Sequence, residues 1–390
     1  MTKAGLWALL PFLLLGCATP APAPPSAEAA ARLRAESAKV LFWSDAERDR
    51  NFRQMEKLFP THVVKADGKI RPLPAGTPLE GTAEIDKAMA DLNMAGLIVL
   101  QDGKVRLERY ARGYGPGQRW TSFSVAKSLT STLVGAAVRD GYIKSIDDPV
   151  TRYIPELKGS GYDGVTVRQI LTMTSGVRWN EDYTDPNSDV ARMFAVTPPP
   201  GEDVTVAYLR TLPREAAPGS KWVYKTGETN LIGVLVRRAT GKPLATYLSE
   251  KIWRPYGMEA DAYWQVDANG QEVGGCCLSV TLRDYARVGQ LILEGGVAGG
   301  RRVVPDWWFG QATSKQADIG SPGRGYGFQW WTGPDGTFDA VGIFGQLIHL
   351  DPKRHLVIAA SSNWPKATDP DLSRARAALI GRITAAAIAR

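Results

Sequence analysis

Ser124 and Lys127 stand three residues apart in Ser122-Phe123-Ser124-Val125-Ala126-Lys127-Ser128-Leu129. Positions i and i+3 of a helix share a face, so hydroxyl and amine would enter the same space. Near a first helical turn, unpaired backbone N–H groups collect there as well. The three parts together suit acyl transfer: an oxygen nucleophile, a base for its proton, and donors for the developing oxyanion. Lysine can be that base only if it is neutral near pH 7. A free lysine titrates at about 10.4, and bringing it to about 7 costs roughly 4–5 kcal/mol. A helix terminus supplies about 0.3–1 kcal/mol, occasionally about 2, so burial has to supply most of the shift. Lys127 is therefore expected inside the protein.

The elements that position this pair are legible from periodicity. Val125, Leu129, Leu133 and Ala136 recur at helical spacing until Asp140-Gly141, and Thr121 and Ser122 are candidate N-caps. Apart from Lys127, the run from Ser122 to Val138 carries no charge. Ahead of it, two strand-like runs flank Asp102-Gly103 between Gly96 and Tyr110, which predicts a hairpin. From Asp147 to about Gly275 the sequence reads mostly as helix and loop, including Val167 to Met173 and Glu228 to Ala239. After Trp331 come three strand runs, the last ending in Leu356-Val357-Ile358-Ala359-Ala360, and then a helix from Asp371. The order predicts an α/β (α+β) fold: an antiparallel sheet flanked by helices, plus a mostly helical subdomain. The domain is expected over 37–390, with the sheet part about 37–142 and 276–390 and the helical part about 143–275. Phe42, Trp43, Phe52 and Phe59 are expected to pack along the catalytic body.

The chain of 390 residues, with 44% hydrophobic content and 12 Trp, can bury a large core. Residues 1–16 carry Lys3 and a leucine-rich stretch too short to span a bilayer, the pattern of an export signal. Its end, Leu14-Leu15-Gly16-Cys17, resembles the bacterial lipobox, which implies lipidation at Cys17 and a membrane as partner. Residues 17–36, rich in Ala and Pro, are expected to form an extended tether. The expected location is the bacterial cell envelope, facing the periplasm from the outer membrane. A net charge of +7 and a pI near 9.2 come from scattered residues, and with an export signal they do not point to nucleic acid. Three cysteines and three histidines offer no zinc spacing, so neither metal nor cofactor is expected. Adjacent Cys276 and Cys277 are expected to be buried thiols.

No G-x-S-x-G elbow is present, and His349 and His355 read as structural, so a Ser/Lys solution fits better than a Ser-His-Asp triad. With that constellation the chain resembles the serine β-lactamase and penicillin-binding-protein family over roughly residues 90 to 385, closest to class C-like esterases and 6-aminohexanoate-dimer hydrolases. The stretches that carry the resemblance are Ser124 to Lys127, Leu171 to Val177, Glu181 to Pro186, Tyr224 to Gly233, and Cys276-Cys277-Leu278 ahead of Ala286 to Gly289. It implies an acylated Ser124, Lys127 and Tyr224 as a coupled base, and Tyr183 on a loop as donor to a leaving amine. In the strand Gly342-Ile343-Phe344-Gly345-Gln346 it implies that Gly345 admits substrate beside Phe344. The N–H of Gln346 would then pair with that of Ser124 as the oxyanion hole. Trp179, Trp330 and Trp331 are candidates for an apolar acyl pocket. Two departures bear on substrate: Thr226 stands where such β-lactamases carry Asn, and the strand lacks the cation usual before its glycine. The expected function is hydrolysis of a small-molecule ester or amide. A β-lactamase or D-Ala-D-Ala carboxypeptidase would need a cation from elsewhere, with Lys225 and Arg324 as candidates. A peptidoglycan-binding or sensor lipoprotein without turnover is the third reading.

Overall fold

The computed structural model describes residues 27–199 and 201–389. The expected export signal and Cys17 lie outside the described residues. The second half of the expected tether is not extended: Ala27–Lys39 is a helix, α1, packed against the turn Met193–Ala195. The prolines of this region end at Pro25. The alanine-rich stretch beyond them carries strong helix formers. Helix α2 (Asp45–Asn51) starts at a capping box in which Ser44 and Glu47 bond each other's backbone N–H. α3 (Ala83–Asp91), α4 (Ala126–Arg139), α5 (Thr226–Thr240), α6 (Leu282–Leu293) and α7 (Pro370–Ile388) are the other helices that matter here.

Two sheets organise most of the strands, and a third pairs only Val297–Ala298 with Arg301–Arg302. The smaller holds β1 (Thr61–Val64), β4 (Arg119–Thr121), β5 (Ala262–Gln265) and β6 (Leu278–Thr281) in the order β1-β5-β6-β4. The larger runs β3-β2-β12-β11-β10-β9-β8-β7, antiparallel throughout. Its members are β2 (Met94–Gln101), β3 (Lys104–Tyr110), β7 (Ala317–Asp318), β8 (Gly325–Tyr326), β9 (Trp331–Thr332), β10 (Phe338–Val341), β11 (Leu347–Asp351) and β12 (Leu356–Ser362). The predicted hairpin is β2–β3, turning through Asp102 and Gly103 at φ 50° and 72°, the doubly left-handed turn that Asp-Gly favours.

The central strands are covered on both faces, which explains their nearly unbroken apolar runs. Ile98, Leu100, Val357 and Ala359 face the main core with α6, whereas Leu97, Val99, Leu356 and Ile358 face a second core with α3 and α7. The alternation follows the two-residue strand period. Helix α4 lies in the main core with all but its C-terminal end buried and packs along α5. Among the described residues no helix is long and apolar enough to cross a membrane.

Candidate active site

The segment into α4 is not capped as expected. Ser122 donates to the Phe123 carbonyl and accepts from the Leu278 N–H, both at 2.9 Å, which ties the segment to β6. Phe123–Val125 is a 3₁₀ turn ahead of the α-helix. Phe123 sits at φ 41°, in the left-handed region, a position that costs about 1–3 kcal/mol and persists only where packing enforces it. The rings of Phe52 and Phe344, 5.0 and 5.3 Å away, supply that packing. Phe52 and Trp43 of the N-terminal segment thus brace the residue before Ser124, while Phe42 is exposed.

Lys127 is 1% exposed. Its Nζ lies 3.2 Å from Ser124 Oγ and donates to Thr226 Oγ1 at 3.1 Å and to the Gly275 carbonyl at 2.7 Å. Burial pushes the amine down to about 8, against the upward pull of the Glu181 carboxylate. A neutral amine has two hydrogens and one lone pair; the two acceptors occupy the hydrogens and leave the lone pair for Ser124. Gly275 permits this approach, since a Cβ there would come within 2.9 Å of Nζ.

Tyr224 lies on the other side of the pair, its ring centroid 5.4 Å from Nζ and stacked on Trp331 at 5.5 Å. Burial and then Glu181 push its phenol well above the ordinary value, with the Ser124 hydroxyl opposing. The electrostatics thus set the two members of the expected Lys–Tyr pair apart: burial brings the Lys127 amine down toward neutrality, and the Tyr224 phenol keeps its proton. Tyr183 donates to Glu181 Oε1 at 2.6 Å, and burial followed by Glu181 raises its phenol too.

Glu181 escaped the sequence reading as a site residue. Its carboxylate accepts from the Thr226 N–H at 2.9 Å, from the Thr226 hydroxyl, from Tyr183 and from Trp179 Nε1. Thr226 therefore joins Lys127 to Glu181, accepting from one and donating to the other. Trp179 stands behind this carboxylate against Gly227 and does not line the cleft; Trp330 is core, against Phe338.

The strand beside Ser124 is shifted in register from the sequence reading. β10 ends at Val341, and residues 343–345 form a tight turn closed by the Gly342 N–H on the Gln346 carbonyl at 2.9 Å. The turn needs Phe344 at φ 58° and Gly345 at φ 92°, so the segment is a hairpin corner. Gly345 packs on Trp364, and the Gln346 side chain bonds Ser362 inside the turn. Gly342 is the close-approach glycine: a Cβ there would lie 2.7 Å from the Ser122 carbonyl oxygen. Gly342 and Ile343, in place of Gly345 and Gln346, stand beside Ser124.

Two cavities of about 270 Å³ each meet at Ser124 and Tyr183. One is walled by Val40, Leu41, Phe42, Phe194 and Val266 and floored by Cys276 and Cys277. The other holds Tyr224, Trp331, Gly342, Trp364 and Arg376. Cys276 and Cys277 are bonded to each other and are not the expected pair of thiols. Cys277 takes φ 68°, and this turn of the backbone brings two adjacent side chains together. The proposed alternative cations are elsewhere. Lys225 is buried with Glu228 at 3.7 Å, and Arg324 is half-exposed, 4.0 Å from Asp339. A larger cavity, about 700 Å³, opens at the far end of α4 between Arg139 and Arg301 and has no Ser, Thr or Cys in its lining. Among the described residues no His, Cys, Asp and Glu cluster could hold a metal ion.

Residues 82–382 match the family described as Beta-lactamase. The chain belongs to that family. The 6-aminohexanoate-dimer hydrolase of Paenarthrobacter ureafaciens is 34% identical over 350 residues, covering 84% of this chain and 88% of that protein. A solved structure of a Bacillus anthracis protein, proposed to be a 6-aminohexanoate-dimer hydrolase, superposes with a TM-score of 0.76 at 25% identity, over 86% of this chain and 93% of that one. A class C β-lactamase at 18% identity has a TM-score of 0.59, over 78% and 94%, and shows the fold alone. This β-lactamase-family protein is a serine hydrolase.

Proposed function

We propose that the protein hydrolyses small esters or linear amides through an acyl-enzyme on Ser124. The observation that carries this reading is the buried Lys127 amine, 3.2 Å from Ser124 Oγ and pushed down to about 8. Neutral Lys127 takes the Oγ proton as Oγ attacks the scissile carbonyl. The backbone N–H groups of Ser124 and Ile343 receive the oxyanion. Tyr224, with its phenol kept protonated, passes a proton to the leaving oxygen or nitrogen and is reprotonated from the Lys127 ammonium. Tyr183 is a second donor to a leaving amine once it releases Glu181. Water then attacks the acyl carbonyl, gives its proton to Lys127, and Ser124 leaves as the hydroxyl. The relative named for a 6-aminohexanoate dimer makes a linear amide the first amide to try.

The decisive experiment follows 4-nitrophenyl butyrate turnover and intact mass in the protein begun after Cys17, with Ser124→Ala and Lys127→Ala beside it. Both variants are expected to lose turnover. Activity like wild type in Ser124→Ala would end the reading, and a persistent adduct on Ser124 without turnover would mean a sensor. We further propose a lipid anchor at Cys17 holding the enzyme in the cell envelope, supported by Leu14-Leu15-Gly16-Cys17. Labelled palmitate should enter the full chain and not its Cys17→Ala variant.

A further inference from the structure

We propose that the bond between Cys276 and Cys277 is a reducible site that sets the depth of the apolar lobe at Ser124, so that a dithiol reductant changes which acyl chains the protein accepts. The inference rests on Ser124 being the nucleophile and on this lobe receiving the acyl portion. The two bonded cysteines lie in the lining of the lobe together with Ser124, Thr226 and Gly275. Cys276 is partly exposed, whereas Cys277 is only 8% exposed. A reductant therefore meets the Cys276 sulfur first.

The backbone around the pair is held by bonds that reduction leaves intact. The Gly275 N–H donates to Asn230 Oδ1 at 2.8 Å, and the Cys276 N–H to the Val273 carbonyl at 3.1 Å. The Cys276 carbonyl accepts from Trp264 Nε1 at 3.2 Å, and the Cys277 carbonyl from the Gln265 N–H at 3.0 Å. The Gly275 carbonyl, one residue ahead, stays on Lys127. The change on reduction thus falls on the side chains, because two sulfurs that share no bond repel at bonding distance and must part. Cys277 is buried, so the Cys276 side chain is the one that moves, and the space beside it is the lobe of about 270 Å³. A thiol turned into that space shortens the lobe. In the exchange, one thiolate of the dithiol attacks Cys276 Sγ, and the bond to Cys277 breaks with release of the Cys277 thiolate. The second thiolate of the reductant then displaces Cys276 and closes the reductant's own disulfide. Two electrons and two protons pass from the dithiol to the protein. Disulfides persist in oxidising compartments, which agrees with the proposed place in the cell envelope.

The protein begun after Cys17 keeps every described residue and only these two cysteines, so alkylation reads their state directly. Iodoacetamide in denaturant, followed by intact mass, should add no group to untreated protein. It should add two groups after dithiothreitol treatment and desalting under nitrogen. In the same reduced sample, the hexanoate-to-acetate ratio of kcat/KM for the 4-nitrophenyl esters should fall about fourfold to fifteenfold, the worth of one or two methylenes left unburied. The fall should come through a higher KM for the hexanoate, and glutathione disulfide should reverse it. Cys277→Gly suits φ 68° and cannot form the bond, so its ratio should not respond to the reductant. Thiols alkylated before reduction, or a bond that dithiothreitol leaves closed in the folded protein, would overturn the inference. So would an unchanged ratio, an equal loss on both esters, or a Cys277→Gly variant that responds like the wild type. Turnover of neither ester in either state, with Ser124 unmodified, would instead remove the hydrolase reading, and the role given to the lobe would fall with it.

Discussion

At the scale of single residues, the site is a set of opposed influences on one amine. Burial lowers Lys127 to about 8, and Glu181 holds it from going lower. With Lys127 as the proposed base, it must be neutral to act, so kcat/KM should rise with pH on a limb centred near 8. Replacing Glu181 by Gln removes the charge that raises Lys127, so the limb should move to lower pH. The same charge raises Tyr224 and accepts from Thr226 and Tyr183. A pH–rate series on wild type and Glu181→Gln reads the shift directly. A limb that stays in place, or moves up, would mean that Glu181 only holds the loop. Glu181 had no signature of its own in the sequence. It acts through contacts with residues on a distant helix, and spacing along the chain does not reveal those.

At the scale of elements, α5 supports the site from beneath with a pair that no water reaches. Lys225 and Glu228 are both fully buried, 3.7 Å apart, and Tyr162 reaches Glu228 at 3.4 Å. Burial raises Glu228, and Lys225 opposes that rise. Lys225→Met should cost about 3–5 kcal/mol, because an uncompensated carboxylate stays buried. The loss should be smaller at pH 5 than at pH 8. Without Lys225 the folded-state pKa of Glu228 rises further, so folding is favoured where Glu228 can be protonated and disfavoured as pH climbs. Adding Glu228→Gln should restore most of the stability, and urea denaturation of the two variants measures both effects. Equal loss at both pH values would show that packing, not charge, is what Lys225 supplies. Helix α4, the β2–β3 hairpin and the three closing strands were legible because each follows a strict period between turn residues. The corner at 342–346 was not. Its glycines fit either a strand or a turn, and only the positive φ of Phe344 and Gly345 sets which glycine stands beside Ser124.

At the scale of the whole molecule, the segment ahead of α2 has a role that composition hid. Val40, Leu41 and Phe42 wall the apolar lobe at Ser124, and α1 holds them there by packing on residues 193–195. From α2 onward the chain is fixed independently: Arg48 donates to Asn363 at 2.6 Å, and Arg112 pairs with Asp45 and Asp49 at 2.8 and 2.7 Å. Removing residues 27–42, which spares Trp43 on Phe52, should therefore leave the body folded with one wall of the lobe missing. Burial of a methylene is worth about 0.8 kcal/mol, so a walled lobe should reward each added carbon of an acyl chain until it is full. The intact protein should thus favour 4-nitrophenyl hexanoate over the acetate in kcat/KM, and the shortened chain should lose most of that preference through a higher KM for the hexanoate. An unchanged hexanoate-to-acetate ratio would show that the wall does not touch the acyl chain. The expected result would tie the entrance of the cleft to the part of the protein nearest Cys17. Residues 18–26 can span at most about 30 Å, so an anchored enzyme would carry its apolar lobe close to the membrane surface.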